Sequence, residues 1–338
     1  MTETRIESLT ATRVWRNGSL SQEDVPPSDL TKVVGDPSAL VWIDLLSPSL
    51  TDLQAVIGKL GLPPTALEDL LGRHERPKVV QHPDWIYVTT HAVSREADRS
   101  VDDSPGGHHL VKSPVSAIAT STVLVTIRLE PRWSMDEVLR RWDADPGLTR
   151  RGIGALLHGL LDVIVDEHFD TIQELDDEAE DLEDLLLGQH HTDDSFILRV
   201  YGLRKELVTL RRVVVPMREV VTGIQRHPEV VSAEMAPWWG DLYDHVLRAS
   251  EWADSLRDMV AFMVETQMSL MDWRLNTVMK KLAGWAAIIA VPTLITGWFG
   301  QNVLFPGYGT WAGLCVSIGL VVVSTVVLYS TFRKRDWL

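Results

Sequence analysis

The chain has 338 residues, 45% of them hydrophobic, and a formal net charge of −15. That acidic balance argues against a nucleic-acid partner, which would call for a basic patch. The single cysteine, Cys315, excludes an intrachain disulfide and a thiolate metal cluster.

Residues 1–150 read as a cytoplasmic α+β domain, a mixed sheet with helices on it. No element is placed before Leu40. The apolar run 40–45, LVWIDL, suits a buried strand. A helix follows it, with Ser49 or Thr51 able to cap it, and another starts at Thr65 after the break GLPP. Residues 78–80 and 85–93 are rich in β-branched and aromatic side chains and read as strands; 115–127 read as one or two more. The stretch 95–107 reads as a polar loop, and a helix begins at Met135.

From Gly152 the pattern changes to long helices. Residues 153–187 set Leu157, Leu160, Leu161, Ile164, Phe169, Ile172, Leu175, Leu182 and Leu185 at helical spacing among many carboxylates. Residues 195–223 form a basic helix with Arg199, Arg204, Lys205, Arg211, Arg212 and Arg218. Together 151–225 read as an antiparallel acidic and basic pair with complementary faces. The acidic helix either concentrates cations or is a solvated face paired with its neighbour. Beyond Pro237 the series Leu242, Val246, Trp252, Leu256, Met259, Met263, Leu270 predicts one long helix over 238–299, of a kind that associates around an axis.

Residues 282–299 and 311–332 carry no charge. At about 1.5 Å per residue they reach roughly 27 and 33 Å, enough to cross a lipid bilayer as a C-terminal two-helix transmembrane hairpin. Lys280 and Lys281 flank the first span; Arg333, Lys334 and Arg335 of the tail 333–338 flank the second. The outer loop 300–310 has no Lys or Arg. The positive-inside bias predicts a multi-pass protein of the cell (inner or plasma) membrane with both termini cytoplasmic. Two spans cannot enclose a polar path, so transport would require a homo-oligomer. Every third or fourth residue from Asn276 (Met279, Ala283, Ala286 or Ala287, Ala290, Thr293, Gly297) gives a small, weakly polar face. Such a face suits a water-filled pore or ordinary tight helix packing. His108, His109, His190 and His191 lie in polar stretches without cysteine and read as solvated rather than as zinc ligands. No Walker or Rossmann fingerprint and no catalytic constellation appears, so neither ATP-driven transport nor an enzyme is expected.

An ordered set of segments resembles the CorA family of divalent-cation channels. It runs through 42–45 (WIDL), 61–62 (GL), 66–69 (ALED), 74–78 (HERPK), 174–178 (ELDDE) and 210–213 (LRRV) with Pro216, Arg218 and Glu219. It continues in 243–252 (YDHVLRASEW), 274–280 (RLNTVMK), Pro292, Gly297 and 335–338 (RDWL). The resemblance implies a funnel-shaped homopentamer whose long helices line a pore. It implies an ion entrance at Gly300, Gln301 and Asn302, where the family carries Gly-Met-Asn. It places Asn276, Met279, Leu282, Thr293 and Gly297 toward the pore, beside Ala290 of the small face, with Met279 and Leu282 as a hydrophobic constriction that gates by dewetting. Arg333, Lys334 and Arg335 would ring the cytoplasmic exit. Asp241 falls where the family carries a metal-sensing carboxylate between subunits, with Glu96 and Asp98 as candidate partners; its other reading is a solvated acid at a helix start. The implied function is uptake of divalent cations, magnesium first and cobalt or nickel beside it, with Mg2+ as cargo and as cytoplasmic gating ligand. Because Gln301 replaces methionine, a zinc transporter of the same fold, like the ZntB proteins, is the alternative. A membrane-anchored metal sensor that conducts nothing is the other.

Overall fold

Alternation along the third strand explains the core. Val41, Ile43 and Leu45 point to one side of it and Trp42 to the other, and all four are buried. In this computed structural model, residues 6–64, 66–71, 76–97, 108–145, 147–188, 194–228, 230–301, 304, 306–335 and 337 are described. The strands are β1 (Leu9–Arg16), β2 (Ser19–Glu23), β3 (Ala39–Leu46), β4 (Lys78–Gln81), β5 (Trp85–Ala97), β6 (His108–Thr120) and β7 (Val123–Arg128). They form one sheet in the order β2-β1-β3-β7-β6-β5-β4, in which only the β3–β7 pair is parallel.

The helices are α1 (Leu30–Val34), α2 (Leu50–Leu60), α3 (Ala66–Leu71), α4 (Asp136–Ala144), α5 (Ile153–Leu187), α6 (Asp194–Val214), α7 (Met217–Gln225), α8 (Ala236–Phe299) and α9 (Trp311–Lys334). Side chains of α1, α2 and α3 pack with Val41, Ile43, Tyr87 and Val125 on one sheet face. On the other face α4, α5, α7 and the start of α8 pack with Trp42, Ile86, Val88 and Leu124. The chain divides into two units, Met1–Ala261 and Phe262–Leu338.

Local chemistry sets the element ends. Ser49, not Thr51, caps α2, in a reciprocal box with Asp52, and Gly61 ends the helix in the left-handed region at φ 69°. Burial opposes ionisation of Asp52, but bonds from Ser49 and the Glu7 N–H hold its carboxyl below the usual range. Thr310 caps α9 by accepting the Gly313 N–H at 3.2 Å. A side chain at Gly313 would meet the Gly307 carbonyl oxygen at 2.3 Å, so the loop can close on α9 only with glycine there.

Three features depart from the sequence reading. A hairpin, β1–β2, precedes Leu40, and Asn17 and Gly18 turn it, both at positive φ. Strand β5 extends to Ala97, into the stretch read as a polar loop, so Arg95 lies in a strand, and β6 begins at His108, ahead of the strand expected from Val115. The basic helix is two helices: α6 stops at Val214 and Pro216, which has no N–H to donate, becomes the cap of α7.

Candidate functional site

The uncharged part of α8 has two sides. Gly284 and Ile288 are buried, and Ala287, Val291, Pro292, Ile295 and Phe299 are half-buried. At about 100° per residue these positions share one flank of the helix. Asn276, Met279, Leu282, Ala290, Thr293 and Gly297 are all exposed; the last five fall on the opposite flank, and Asn276 lies at its edge. Five of the six positions proposed from the sequence therefore share one uncovered face, with Asn276 at its border. Pro292 lies inside the helix, which leaves the Ile288 carbonyl without its usual N–H. The Thr293 hydroxyl donates to the Ile289 carbonyl at 2.8 Å, and the Thr296 hydroxyl to the Thr293 carbonyl at 3.0 Å. Both hydroxyl oxygens keep lone pairs for an incoming group.

At the outer end of α8 the Gly300 N–H donates to the Thr296 carbonyl at 2.9 Å and the Gln301 N–H to that of Trp298 at 3.3 Å. Gln301 is exposed. Asn302, the third member of the candidate entrance, lies outside the described residues. The left-handed glycines of the loop are Gly307 and Gly309, at φ 93° and 72°. Arg333, Lys334 and Arg335 are exposed, and Trp337 stacks on Phe332 with ring centroids 5.4 Å apart.

In the first unit, Asp162, Asp166 and His245 bring ligand atoms within 4.8 Å of one another, the metal-capable group among the described residues. Asp162 and Asp166 are one helical turn apart on α5, and α8 supplies the histidine. The Arg141 guanidinium, from α4, already bridges the pair: Nη1 binds Asp162, and Nη2 lies 2.8 Å from Asp166. Burial works against that charge, yet the two carboxylates hold the guanidinium above its ordinary value. A metal ion there would have to displace Arg141. Asp241 stands next to this group: its carboxylate lies 3.8 Å from His245 Nε2, and its side chain is 71% exposed. Glu96, exposed on β5, pairs with Arg132 at 3.4 Å, and Asp98 lies outside the described residues.

Sequence reasoning passed over Glu167, although four residues, Asp162, Asp166, Glu167 and Asp170, crowd carboxylates onto two turns of α5. Trp133 Nε1 donates to both its oxygens, at 2.7 and 2.9 Å. The carboxyl lines a cavity of about 480 Å³ with Arg95, Arg132, Asp170 and Glu174. Burial first, and then the charges of Asp170, Glu137 and Asp166, raise it to about 7, against the effect of the Trp133 bonds. Deeper in, Arg95 of β5 binds Glu178 of α5 and, at 2.9 Å, Glu206 of α6. Of the two histidine pairs, His109 is exposed on β6, and His190 and His191 lie outside the described residues.

The sequence model of a family described as "CorA-like Mg2+ transporter protein" matches residues 37–334. The cobalt/magnesium transport protein CorA of Thermotoga maritima is 28% identical over 307 residues, 90% of this chain and 85% of that protein. The zinc transport protein ZntB of Yersinia pseudotuberculosis is 25% identical over 286 residues, 82% of this chain and 81% of that one. The fold matches the complete structure of the CorA magnesium transporter from Methanocaldococcus jannaschii with a TM-score of 0.73 at 23% identity, covering 97% of this chain and 98% of the other. Helices α8 and α9 are long and apolar enough to cross a membrane. With the family match extending through both of them, the chain belongs to the CorA family and is a membrane protein with two spans.

Proposed function

We propose that this chain is one subunit of a homopentameric channel that admits divalent cations to the cytoplasm, magnesium foremost, with cobalt and nickel beside it. The observation that carries the reading is the two-sided α8. Its uncovered flank bears Met279, Leu282, Ala290, Thr293 and Gly297, with Asn276 at its edge, and the helix ends at Gly300 and Gln301. Five such flanks around an axis would make a path lined by carbonyls, hydroxyls and small residues, with Gly300, Gln301 and Asn302 at its outer mouth. Magnesium dehydrates reluctantly and travels with water, so weak polar groups suit it better than a tight carboxylate cage. Met279 and Leu282 would form the dewetting gate, and Arg333, Lys334 and Arg335 would stand at the cytoplasmic exit. With both termini in the cytoplasm, a membrane potential negative inside drives the cation inward at about 2.3 kcal/mol per charge per 100 mV.

Asp241 is exposed enough to meet a neighbouring subunit. A cytoplasmic Mg2+ bridging it to a carboxylate across the interface would hold the ring closed, and metal loss would leave like charges facing each other. Flux through purified protein in liposomes tests the whole reading. Magnesium and cobalt should enter, and Asn302→Ala should abolish their entry; wild-type flux unchanged by that substitution would point to a sensor that conducts nothing. Zinc transport on the same fold is the second reading, favoured by Gln301 and by the likeness to the zinc transport protein ZntB. Zinc flux without magnesium flux would establish it.

A further inference from the structure

The expected neutralisation of α5 by α6 does not occur within one chain. Among the described residues no ion pair joins an acid of α5 to a base of α6; Arg211 pairs instead with Asp254 of α8, and Arg95 of β5 takes Glu178 and Glu206. The outward side of α6 is ordered at heptad spacing. Leu198, Tyr201, Lys205, Val208 and Arg212, with Val215 just past the helix end, follow one another at alternating steps of three and four, and all six are exposed. Leu198 and Tyr201 remain 60% and 54% exposed. That spacing is the pattern of a seam which receives another helix. The two bases within it specify an acidic helix. The outer side of α5 supplies one, since Asp177, Asp181 and Asp184 are exposed there and, among the described residues, pair with no base.

We infer that the α6 seam of one subunit receives the outer, acidic side of α5 from the next copy of the chain. The contact is heterologous, joining two different surfaces, which is the kind that closes a ring. Because α5 and α6 touch within a chain and only residues 188–193 separate them in sequence, they run antiparallel. In a cyclic assembly α6 then also runs antiparallel to the neighbour's α5. Counting outward from residues 188–193 sets Tyr201 beside Asp181 of the neighbouring copy and Lys205 beside its Asp177, while Leu198 meets the apolar end of α5 at Leu185 and Leu187, both exposed. The inference rests on the ring assembly proposed above and adds where its subunits touch outside the membrane.

Oxidative cross-linking of the full-length protein in detergent tests it, in a Cys315→Ser background that removes the native thiol. The variant carrying both Tyr201→Cys and Asp181→Cys should give a ladder of disulfide-linked species up to the full ring on non-reducing gels. Tyr201→Cys alone or Asp181→Cys alone should give none. Lys205→Glu should weaken the ladder, and Asp177→Lys in the same chain should restore it. Light scattering on the uncross-linked protein separates the two layers of argument. An intact ring without a ladder overturns the seam alone, and a wild-type monomer overturns the ring reading and the seam together. A dimer linked through Tyr201→Cys alone would show α6 meeting α6 and also overturn it. So would protection of that cysteine from thiol reagents only when lipid vesicles are present.

Discussion

Replacing Glu167 by glutamine should make the protein more stable above neutral pH and flatten its pH dependence. Burial beside Asp166, Asp170 and Glu137 moves this carboxyl from 4.5 to about 7. At about 1.4 kcal/mol per pH unit, that displacement amounts to at most about 3.5 kcal/mol. The sign follows from proton counting. Between 4.5 and about 7 the folded protein keeps the Glu167 proton while the unfolded chain gives it up. The native state then binds more protons, so stability falls as pH rises through the window. The contribution is whole below 4.5 and lost above about 7. Glu167→Gln keeps an oxygen to accept the Trp133 Nε1–H and removes the ionisation. Thermal unfolding of the detergent-solubilised protein should give coincident curves near pH 4.5. Near pH 8 the variant should unfold several degrees higher, at about 2–4 °C per kcal/mol for a unit of this size. Parallel pH profiles, or a constant deficit in the variant, would refute the assignment of the titrating group.

Arg95→Met should be severely destabilising, by about 3–5 kcal/mol, because it leaves Glu178 and Glu206 buried against each other without a cation. Adding Glu178→Gln and Glu206→Gln should recover much of the loss, read as the thermal midpoint of the first unit. Met279→Ala with Leu282→Ala should widen and wet the proposed gate, so that liposomes loaded with magnesium still admit the ion; flux that stays shut under that load would count against a gate there. Asp241→Asn should likewise relieve inhibition by internal magnesium while leaving flux at low internal metal unchanged. Gln301→Met should raise the magnesium concentration for half-maximal flux, and an unchanged value would separate that side chain from the ion.

The long helices were legible because their signals are long. The proline-free apolar repeat over 238–291 leaves little choice but one helix, and α8 runs Ala236–Phe299. The membrane hairpin is plain for the same reason, since an uncharged run of that length has few other stable environments. Short or half-buried elements were not legible. β2 buries none of its five residues, so its pattern carries no periodicity to read, and its only signal was the Asn17-Gly18 turn. Arg95 reads as a loop residue because a lone arginine rarely enters a buried strand. What holds it there are two glutamates 83 and 111 residues away, invisible to any local pattern. The Asp162, Asp166 and His245 group divides along the same line. The two aspartates announce themselves at one-turn spacing, whereas the histidine arrives only because α8 folds onto α5.

The uncovered flank of α8 bears on the proposed assembly independently of any relative. A helix facing hydrocarbon must satisfy its polar groups internally. Thr293 and Thr296 do so, through their bonds to Ile289 and Thr293. Two features of the flank remain: the bare backbone at Gly297 and the exposed Gln301 beyond the helix end. On a lipid-facing surface a glycine gives up contact area where lipid offers none in exchange. Facing water or another subunit, the glycine becomes useful as room. In the proposed ring the flank meets copies of itself around a common axis. Gln301 then stands where a hydrated cation would first meet protein. Its amide oxygen accepts hydrogen bonds from the water on the ion, where methionine would offer only a weak thioether acceptor. A firmer hold at the mouth raises occupancy and slows departure inward. At that position the trade falls between affinity and rate, and the exchange of one acceptor strength for another is what half-saturation and maximal flux, measured together on Gln301→Met, resolve.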